Sequence, residues 1–170
     1  MERHSFVKLI YLAGLMILLT ACGTSSSEVP SGYYAFQTGE EVETALDDLT
    51  FQPELPDFIP VHMVSVVSDI YEKNNQETLD ISFYTEKNDL LSLTFTKGTN
   101  EKHWIDPQQV KIDQQLRGTY EDNQFAKRLS WKKNGITYTL AFRKSVDAQT
   151  VDEQSVSKEH LLEVARSFHS

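Results

Sequence analysis

Leu129 to Leu140 reads LSWKKNGITYTL, and this stretch contains the clearest structural signal of the chain. Asn134-Gly135 is the strongest two-residue hairpin signal, because both positions of a type I′ turn need a positive φ. Counting outward from that turn, Trp131 faces Tyr138 and Leu129 faces Leu140, so the large apolar residues share one face. The stretch therefore predicts an antiparallel hairpin with one apolar and one polar face.

A second hairpin is predicted upstream by two runs of alternating residues. The apolar members are Leu79, Ile81 and Phe83 in the first run and Leu91, Leu93 and Phe95 in the second. Both triplets reach the same face only if Phe83 opposes Leu91, and that pairing leaves Glu86-Lys87-Asn88 as the loop. A three-residue hairpin loop needs a left-handed residue in its third position, which asparagine tolerates. Pattern and turn chemistry therefore agree on one register.

Two further stretches have the composition of strands. Val61–Tyr71 is rich in β-branched residues and has apolar side chains on both faces, which predicts a central strand. Gln109–Leu116 carries Val110 and Ile112 at alternate positions and predicts another strand. Gly118-Thr119-Tyr120 is interpreted as a bend. With the two hairpins, these stretches make about six antiparallel strands.

One helix is expected before the strands and another after them. Thr38 and Glu41 have the spacing of a capping box. The apolar stripe behind it consists of Val42, Ala45, Leu46 and Leu49. Ser157 is expected to cap a second helix that continues through Phe168. We therefore predict one α+β domain over residues 38–170, in which a curved antiparallel β-sheet of about six strands carries an N-terminal and a C-terminal helix on its apolar face.

The N-terminus has the pattern of an exported lipoprotein. Leu9–Leu19 is apolar throughout and follows the basic residues Arg3 and Lys8, as in a cleavable signal. An 11-residue helix is too short for a bilayer core of about 30 Å. Leu19-Thr20-Ala21-Cys22-Gly23 resembles the bacterial lipobox, in which the cysteine thiol receives diacylglycerol and cleavage makes the cysteine the new N-terminus.

Cys22 is the only cysteine of the chain, so it has no partner for an internal disulfide. Lipidation explains this lone cysteine better than the alternative, an ordinary buried cysteine beside an uncleaved anchor. We expect residues 1–21 to be a signal peptide and residues 22–37 to be a lipidated Cys22 with a flexible tether. The expected location is the extracytoplasmic face of the cell membrane.

The composition excludes several classes of function. The formal net charge is −9 at pH 7, and the basic residues cluster only in pairs such as Lys127-Arg128 and Lys132-Lys133. Nucleic acid is therefore not expected as a partner, because phosphate contacts need clustered cations. None of the histidines of the mature chain, His62, His103, His160 and His169, has the spacing of a metal pair. We assign no metal, no cofactor and no catalytic residue, since no nucleophile elbow, zinc motif or phosphate loop occurs.

Two groups of residues are candidates for a binding site. His103-Trp104-Ile105-Asp106 mixes a histidine, an aromatic ring and a carboxylate in one loop, although an anchored structural loop explains the same residues. The aromatic group consists of Phe83, Phe95, Trp131, Tyr138 and Phe142. These rings either line a ligand-holding concavity or fill the core beneath the helices, and we favour the core.

The mature part resembles a known family. The resemblance rests on Phe51 with Leu55-Pro56, on Tyr84, on Val110–Gly118, on Leu129-Ser130-Trp131, on Tyr138-Thr139-Leu140 and on Leu161–Phe168. These residues look like a domain of unknown function in envelope proteins of Gram-positive bacteria, carried on lipoproteins and on anti-sigma-factor-like membrane proteins. The resemblance implies a shape similar to periplasmic lipoprotein carriers and to sigma-regulating sensor domains, and it brings no catalytic residue. The chain departs from the family at Pro56–Pro60, where a glycine-containing turn is usual.

These observations lead to one expected function and two alternatives. The expected function is a membrane-anchored extracytoplasmic lipoprotein whose non-catalytic domain binds or regulates an envelope protein, a peptide or a lipid. One alternative is a carrier or chaperone of lipid or lipoprotein type, and the other is an exported hydrolase. An unfilled apolar pocket would favour binding, whereas clustered carboxylates or a Ser/His pair in a cleft would favour hydrolysis.

Overall fold

A seven-stranded antiparallel sheet forms the centre of the protein in a computed structural model that describes residues 29–99, 103–145 and 155–169. The helices are α1 (Glu40–Asp48) and α2 (Lys158–Arg166). The strands are β1 (Tyr34–Ala35), β2 (Leu55–Pro56), β3 (Phe58–Ile59), β4 (Ser65–Lys73), β5 (Gln76–Tyr84), β6 (Leu90–Lys97), β7 (Gln108–Lys111), β8 (Arg117–Asp122), β9 (Lys127–Lys133), β10 (Ile136–Arg143) and β11 (Phe168–His169).

The strand order of the large sheet is β4-β5-β6-β10-β9-β8-β7. Both predicted hairpins are confirmed. In the β9–β10 hairpin Trp131 pairs with Tyr138, and the turn residues Asn134 and Gly135 have φ values of 52° and 79°. In the β5–β6 hairpin Phe83 pairs with Leu91 as expected, and Asn88 has a φ of 59°.

The core lies on one face of this sheet. Alternate residues of the central strands β5, β6, β10 and β9 point to that face and are almost wholly buried. They include Leu79, Ile81, Phe83, Leu91, Leu93, Phe95, Leu129, Tyr138 and Leu140. Because these strands are joined in register, their apolar rows form one continuous surface.

The two helices cover this apolar face, as expected. Helix α1 packs against β4, where the Ser68 hydroxyl donates to the carbonyl oxygen of Glu41 at 3.1 Å. Helix α2 buries Leu161 and Val164, and the strand behind it places the Phe168 ring 5.1 Å from the ring of Trp131. There are also two small two-stranded sheets, β1–β3 and β2–β11, and the second lies over the apolar face, where Phe168 packs against Phe95 and Tyr138. The fold is thus α+β, with an antiparallel sheet and one helix near each end of the chain.

The prediction of about six strands was wrong, because a seventh strand, β8, replaces the expected bend at Gly118-Thr119-Tyr120. Gly118 is needed for another reason. A Cβ at this position would lie 2.9 Å from the carbonyl oxygen of Ser130 on the neighbouring strand. The glycine therefore marks a close approach of two strands and not a turn. The expected strand Gln109–Leu116 is correspondingly shorter and ends at Lys111.

The expected central strand Val61–Tyr71 is instead the edge strand β4. Its apolar residues alternate between a half-buried set beneath α1, which includes Val66 and Ile70, and an exposed set on the other face. Val67 belongs to the exposed set, with half of its surface accessible. Apolar residues on both faces therefore indicate incomplete cover at an edge and not burial at the centre.

The helix ends also differ from expectation. The N-cap of α1 is Gly39, without a side-chain cap, and the Thr38 hydroxyl donates to Glu43. Ser157 does cap α2, in a capping box in which His160 is the N3 residue. Helix α2 stops at Arg166, because Phe168 leaves it to pair with Pro56.

The expected tether over residues 22–37 ends earlier than predicted. Tyr34 and Ala35 pair with Ile59 and Phe58, so the chain belongs to the domain well before residue 37. Cys22 and the signal segment 1–21 lie outside the described residues. Within the described residues, no helix is long and apolar enough to cross a membrane.

Candidate functional site

The aromatic group of the sheet forms packed core and not a concavity. Phe83, Phe95 and Tyr138 are at most 1% exposed. The Trp131 and Tyr138 rings are stacked at 5.3 Å, and Phe168 closes over both with edge contacts. Phe83, Phe95, Trp131 and Tyr138 are therefore part of the packed core, whereas Phe142, at the end of β10, lines an open cleft.

The loop His103–Asp106 is anchored to the polar face of the sheet. The backbone N–H of Ile105 donates to Glu121 Oε2 at 3.0 Å, and the Trp104 ring lies 5.3 Å from the guanidinium carbon of Arg128. Glu121 is fully buried and also accepts from Arg128 at 2.9 Å and from the Asn123 amide at 2.6 Å. Oε2 therefore holds the loop directly, and Oε1 is held by Arg128 and Asn123, which fits the interpretation of an anchored structural loop.

The best candidate site is an open cleft of about 390 Å³ at one end of the sheet. That volume lies in the range of roughly 300–1,000 Å³ that is usual for ligand sites. Its walls come from the chain before and in β1, the turn before β4, the β5–β6 loop, the end of β10, and α2. The polar side chains that line it include Tyr34, His62, Glu86, Asp89 and His160.

Several polar groups of the cleft are already engaged in holding its walls together. His160 Nδ1 accepts from the backbone N–H of Ser157 at 3.2 Å, so the neutral ring carries its proton on Nε2. Asp89 Oδ1 accepts from the backbone N–H of Ser145 at 2.8 Å. The His62 ring stands edge-on to Tyr34, with 5.2 Å between the ring centres. His62, His103 and His160 are the histidines whose side chains the structure describes, and none of these three rings is hydrogen-bonded to a hydroxyl or carboxylate group.

The wall behind His160 is aromatic. The Tyr33 ring lies 5.7 Å from the His160 ring and 4.9 Å from the Phe58 ring, with edge contacts to both. Burial, reinforced by the charge of Glu163, raises the pKa of Tyr33, so its phenol stays protonated at neutral pH. Tyr33 and Phe58 thus support His160 from behind, while the cleft itself is lined by the aromatic rings of Tyr34 and Phe142 and by charged side chains of the β5–β6 loop, which suits an amphipathic ligand.

Sequence reasoning missed this cleft. It placed Glu86 in a hairpin loop correctly, but it considered His62 and His160 only as possible metal ligands. The described residues contain no group of three or more side chains that could hold a metal ion. The segment around Tyr34 was assigned to the tether, and no sequence pattern predicted that it would lie beside the β5–β6 loop.

Comparison of the chain with protein-family models, with curated proteins and with solved structures found no match. The resemblance to an envelope domain family thus remains an expectation, and the function has to be argued from the site.

Proposed function

We propose that the chain is a lipoprotein held by Cys22 on the extracytoplasmic face of the cell membrane, with a non-catalytic binding or regulatory domain that uses the cleft. The observation that carries this proposal is the position of the cleft. Gly32 and Tyr34, which line it, belong to the segment that joins the domain to the lipobox. The cleft therefore lies at the end of the domain from which the chain runs to its anchor.

The short connection limits where a partner can be. Six residues, 23–28, separate Cys22 from the described domain. A flexible segment of that length has a typical reach of about 13 Å, at roughly 5–6 Å × √n. The exposed rings of Tyr34 and Phe125 lie at this same end of the sheet. We infer a partner close to the bilayer, such as a membrane protein, an envelope peptide or a lipid head group. Because the anchor confines the domain near this partner, their effective concentration is high and a weak interface is sufficient.

The polar groups of the cleft favour binding over catalysis. His160 and Asp89 accept hydrogen bonds from backbone groups that shape the walls. Activation of a nucleophile would instead need a base within about 3 Å of a hydroxyl or thiol. Carriage of an acyl chain would need an open apolar cavity. The aromatic face of the sheet is packed and supplies no such cavity. The carrier alternative would therefore need the curvature that we expect for the sheet, and this curvature belongs to the proposal.

The anchor can be tested by growing cells with labelled palmitate. We expect label on the wild-type protein and none on Cys22→Ser, which would keep its signal segment or be released into the medium. Thr20→Ser leaves the lipobox cysteine intact and serves as the control. Label retained by Cys22→Ser would refute the anchor.

The cleft can be tested by photocrosslinking on intact cells. Glu86, exposed at the cleft, is replaced by benzoylphenylalanine, and Lys97, exposed at the opposite end of β6, receives the same replacement as the control. We expect crosslinks to a membrane component from position 86 and not from position 97. Equal crosslinking from both positions would contradict the assignment of the cleft.

The exported hydrolase is a second candidate, because two histidines and two carboxylates line the cleft. It predicts that the purified protein turns over a peptide, ester or glycan and that His62→Gln abolishes the turnover. Turnover that depends on His62, without crosslinks from position 86, would replace the binding proposal.

A further inference from the structure

The two edges of the large sheet differ in length and in protection. Strand β7 forms one edge with four residues, follows Pro107 and ends in Lys111. Strand β4 forms the other edge with nine residues, which pair continuously with β5 from Ser65 to Lys73. Natural proteins protect sheet edges by shortness, proline, lysine or bulges. Strand β7 has three of these features, whereas β4 has only the lysine at its last position.

The backbone direction of β4 follows from its turn. Asn74 and Asn75 form a two-residue turn with φ values of 54° and 57°, so Lys73 and Gln76 are a hydrogen-bonded pair. Hydrogen-bonded and outward-facing residues alternate along an antiparallel strand. The N–H and C=O groups of Val66, Ser68 and Ile70 therefore point away from β5. In the described part of the chain, β4 pairs with no other strand.

Apolar side chains on both faces of β4 stay partly exposed along this edge. On one side lies α1, which the bond between Ser68 and Glu41 holds beside the strand. Val66 and Ile70 are only half-buried beneath it. On the other face of β4, Val67 is 50% exposed and Tyr71 is 39% exposed. An added strand would find apolar contacts on both faces and unpaired backbone groups between them.

The charge beside the edge of β4 selects the partner. Helix α1 contains five acidic residues, Glu40, Glu41, Glu43, Asp47 and Asp48, and no basic one. Strand β4 adds Asp69 and Glu72, and Asp69 lies directly opposite Asp80 on β5. Two copies pairing through this edge would bring two acidic surfaces together, which disfavours a homodimer. A partner strand with basic residues would relieve the repulsion between the carboxylates.

We propose that the open edge of β4, with α1 beside it, docks an extended segment of another protein that alternates apolar and basic residues and pairs with β4 as an eighth strand. The segment would receive main-chain hydrogen bonds from Val66, Ser68 and Ile70. Its basic side chains would lie on the side of α1, near the carboxylates of the helix and of Glu72, and its apolar side chains would lie beside Val67 and Tyr71. This surface is separate from the cleft and does not depend on it.

A defined peptide tests the proposal with the full mature protein in detergent. The probe is a capped heptapeptide of alternating valine and lysine. We expect it to slow amide hydrogen exchange at Val66, Ser68 and Ile70. A valine–glutamate peptide tests the charge, and a valine–lysine peptide N-methylated at every residue, which blocks both of its edges, tests strand pairing. Neither should slow exchange.

A matched pair of variants locates the site. Val67→Lys adds a positive charge at β4 and should weaken binding of the valine–lysine peptide about threefold or more, in line with the size of cross-strand pair effects. Gln109→Lys makes the same change at the other edge, in β7, and should leave binding unchanged.

Equal binding of the N-methylated peptide would overturn strand addition. Concentration-dependent dimers that protect the same amides would assign the edge to a second copy. Neither result would alter the palmitate label at Cys22 or the crosslinks from position 86.

Discussion

The apolar face of the large sheet is covered by two helices, whereas the described parts of the connection between β6 and β7 lie against the polar face. Of that connection, Thr99 accepts from the Lys132 side chain, Trp104 lies against Arg128, and Ile105 donates to Glu121. Polar-face residues that are buried include Thr78, Thr96, Glu121, Ser130 and Thr139. Alternation in the sequence correctly identifies the core face, but it does not indicate that the opposite face is also covered.

The two faces are closed by different kinds of interaction. The apolar face is held by packing of large side chains, which is non-directional and tolerates little lost volume. The polar face is held by a few specific contacts centred on Glu121, a buried carboxylate with three donors. We therefore expect loss of volume to be most harmful on the first face and loss of one donor to be most harmful on the second.

The largest effect is expected from Leu140→Ala on the apolar face. Leu140 is fully buried between Leu93 and Leu129 on the neighbouring strands. The substitution leaves a cavity in close-packed surroundings and should lower the free energy of unfolding by about 2–5 kcal/mol, measured by urea denaturation. Ser92→Ala, on the polar face of β6, is the control and should change it by less than about 1 kcal/mol. Equal losses in both variants would show that the two faces do not differ as described.

A smaller and more local effect is expected from Arg128→Ala on the polar face. It removes the cation from the buried Glu121 and the partner from the Trp104 ring. A buried charge that loses a donor destabilises the folded state, but Arg128 is partly exposed. We therefore expect the free energy of unfolding to fall by about 2 kcal/mol.

The distinctive readout of Arg128→Ala is amide hydrogen exchange at Ile105, which should become faster because its acceptor, Glu121, is released. Lys132→Ala lies on the same strand and face and removes only an exposed contact to Thr99, so it should leave that exchange unchanged. Unchanged exchange in Arg128→Ala would mean that the loop is held by other contacts.

Local signals predicted local structure well. The positive φ required by Asn134-Gly135 and by Asn88 fixed both hairpins and their registers. The spacing at Ser157 placed the start of α2. The errors arose where the cause is distant in sequence. Gly118 must be a glycine because a Cβ there would be too close to the carbonyl oxygen of Ser130 on the next strand. Such a close approach of two strands leaves no periodic pattern in the sequence.

The candidate site was less predictable than the fold. The cleft joins Tyr34, Glu86 and His160, which are separated by large stretches of chain. Their proximity depends on strand order and on the β1–β3 pairing, and neither follows from residue patterns. Similarly, β4 has the composition of a central strand, and only the strand order places it at an edge.

The smallest effect is expected from the ionisation of Tyr120, which tests how well α2 closes the apolar face near β8. Burial, reinforced by Asp122 and Glu159, raises the pKa of Tyr120 to about 12. In the unfolded chain the phenol titrates near 10. Because the folded pKa is the higher one, the contribution of Tyr120 to stability is complete below pH 10 and is lost as pH rises from 10 to 12. The ammonium group of Lys158 lies 5.2 Å from the ring centre, so this loss occurs at the contact between α2 and the sheet.

We expect Tyr120→Phe to remove the last step of a tyrosinate absorbance titration. The free energy of unfolding should also fall less steeply between pH 10 and pH 12 in this variant than in the wild-type protein. Lysine deprotonation in the same range affects both proteins and cancels in the comparison. If the wild-type protein and Tyr120→Phe show the same titration curve above pH 11, apart from the amplitude of one ordinary tyrosine, then α2 does not shield this end of the apolar face from water.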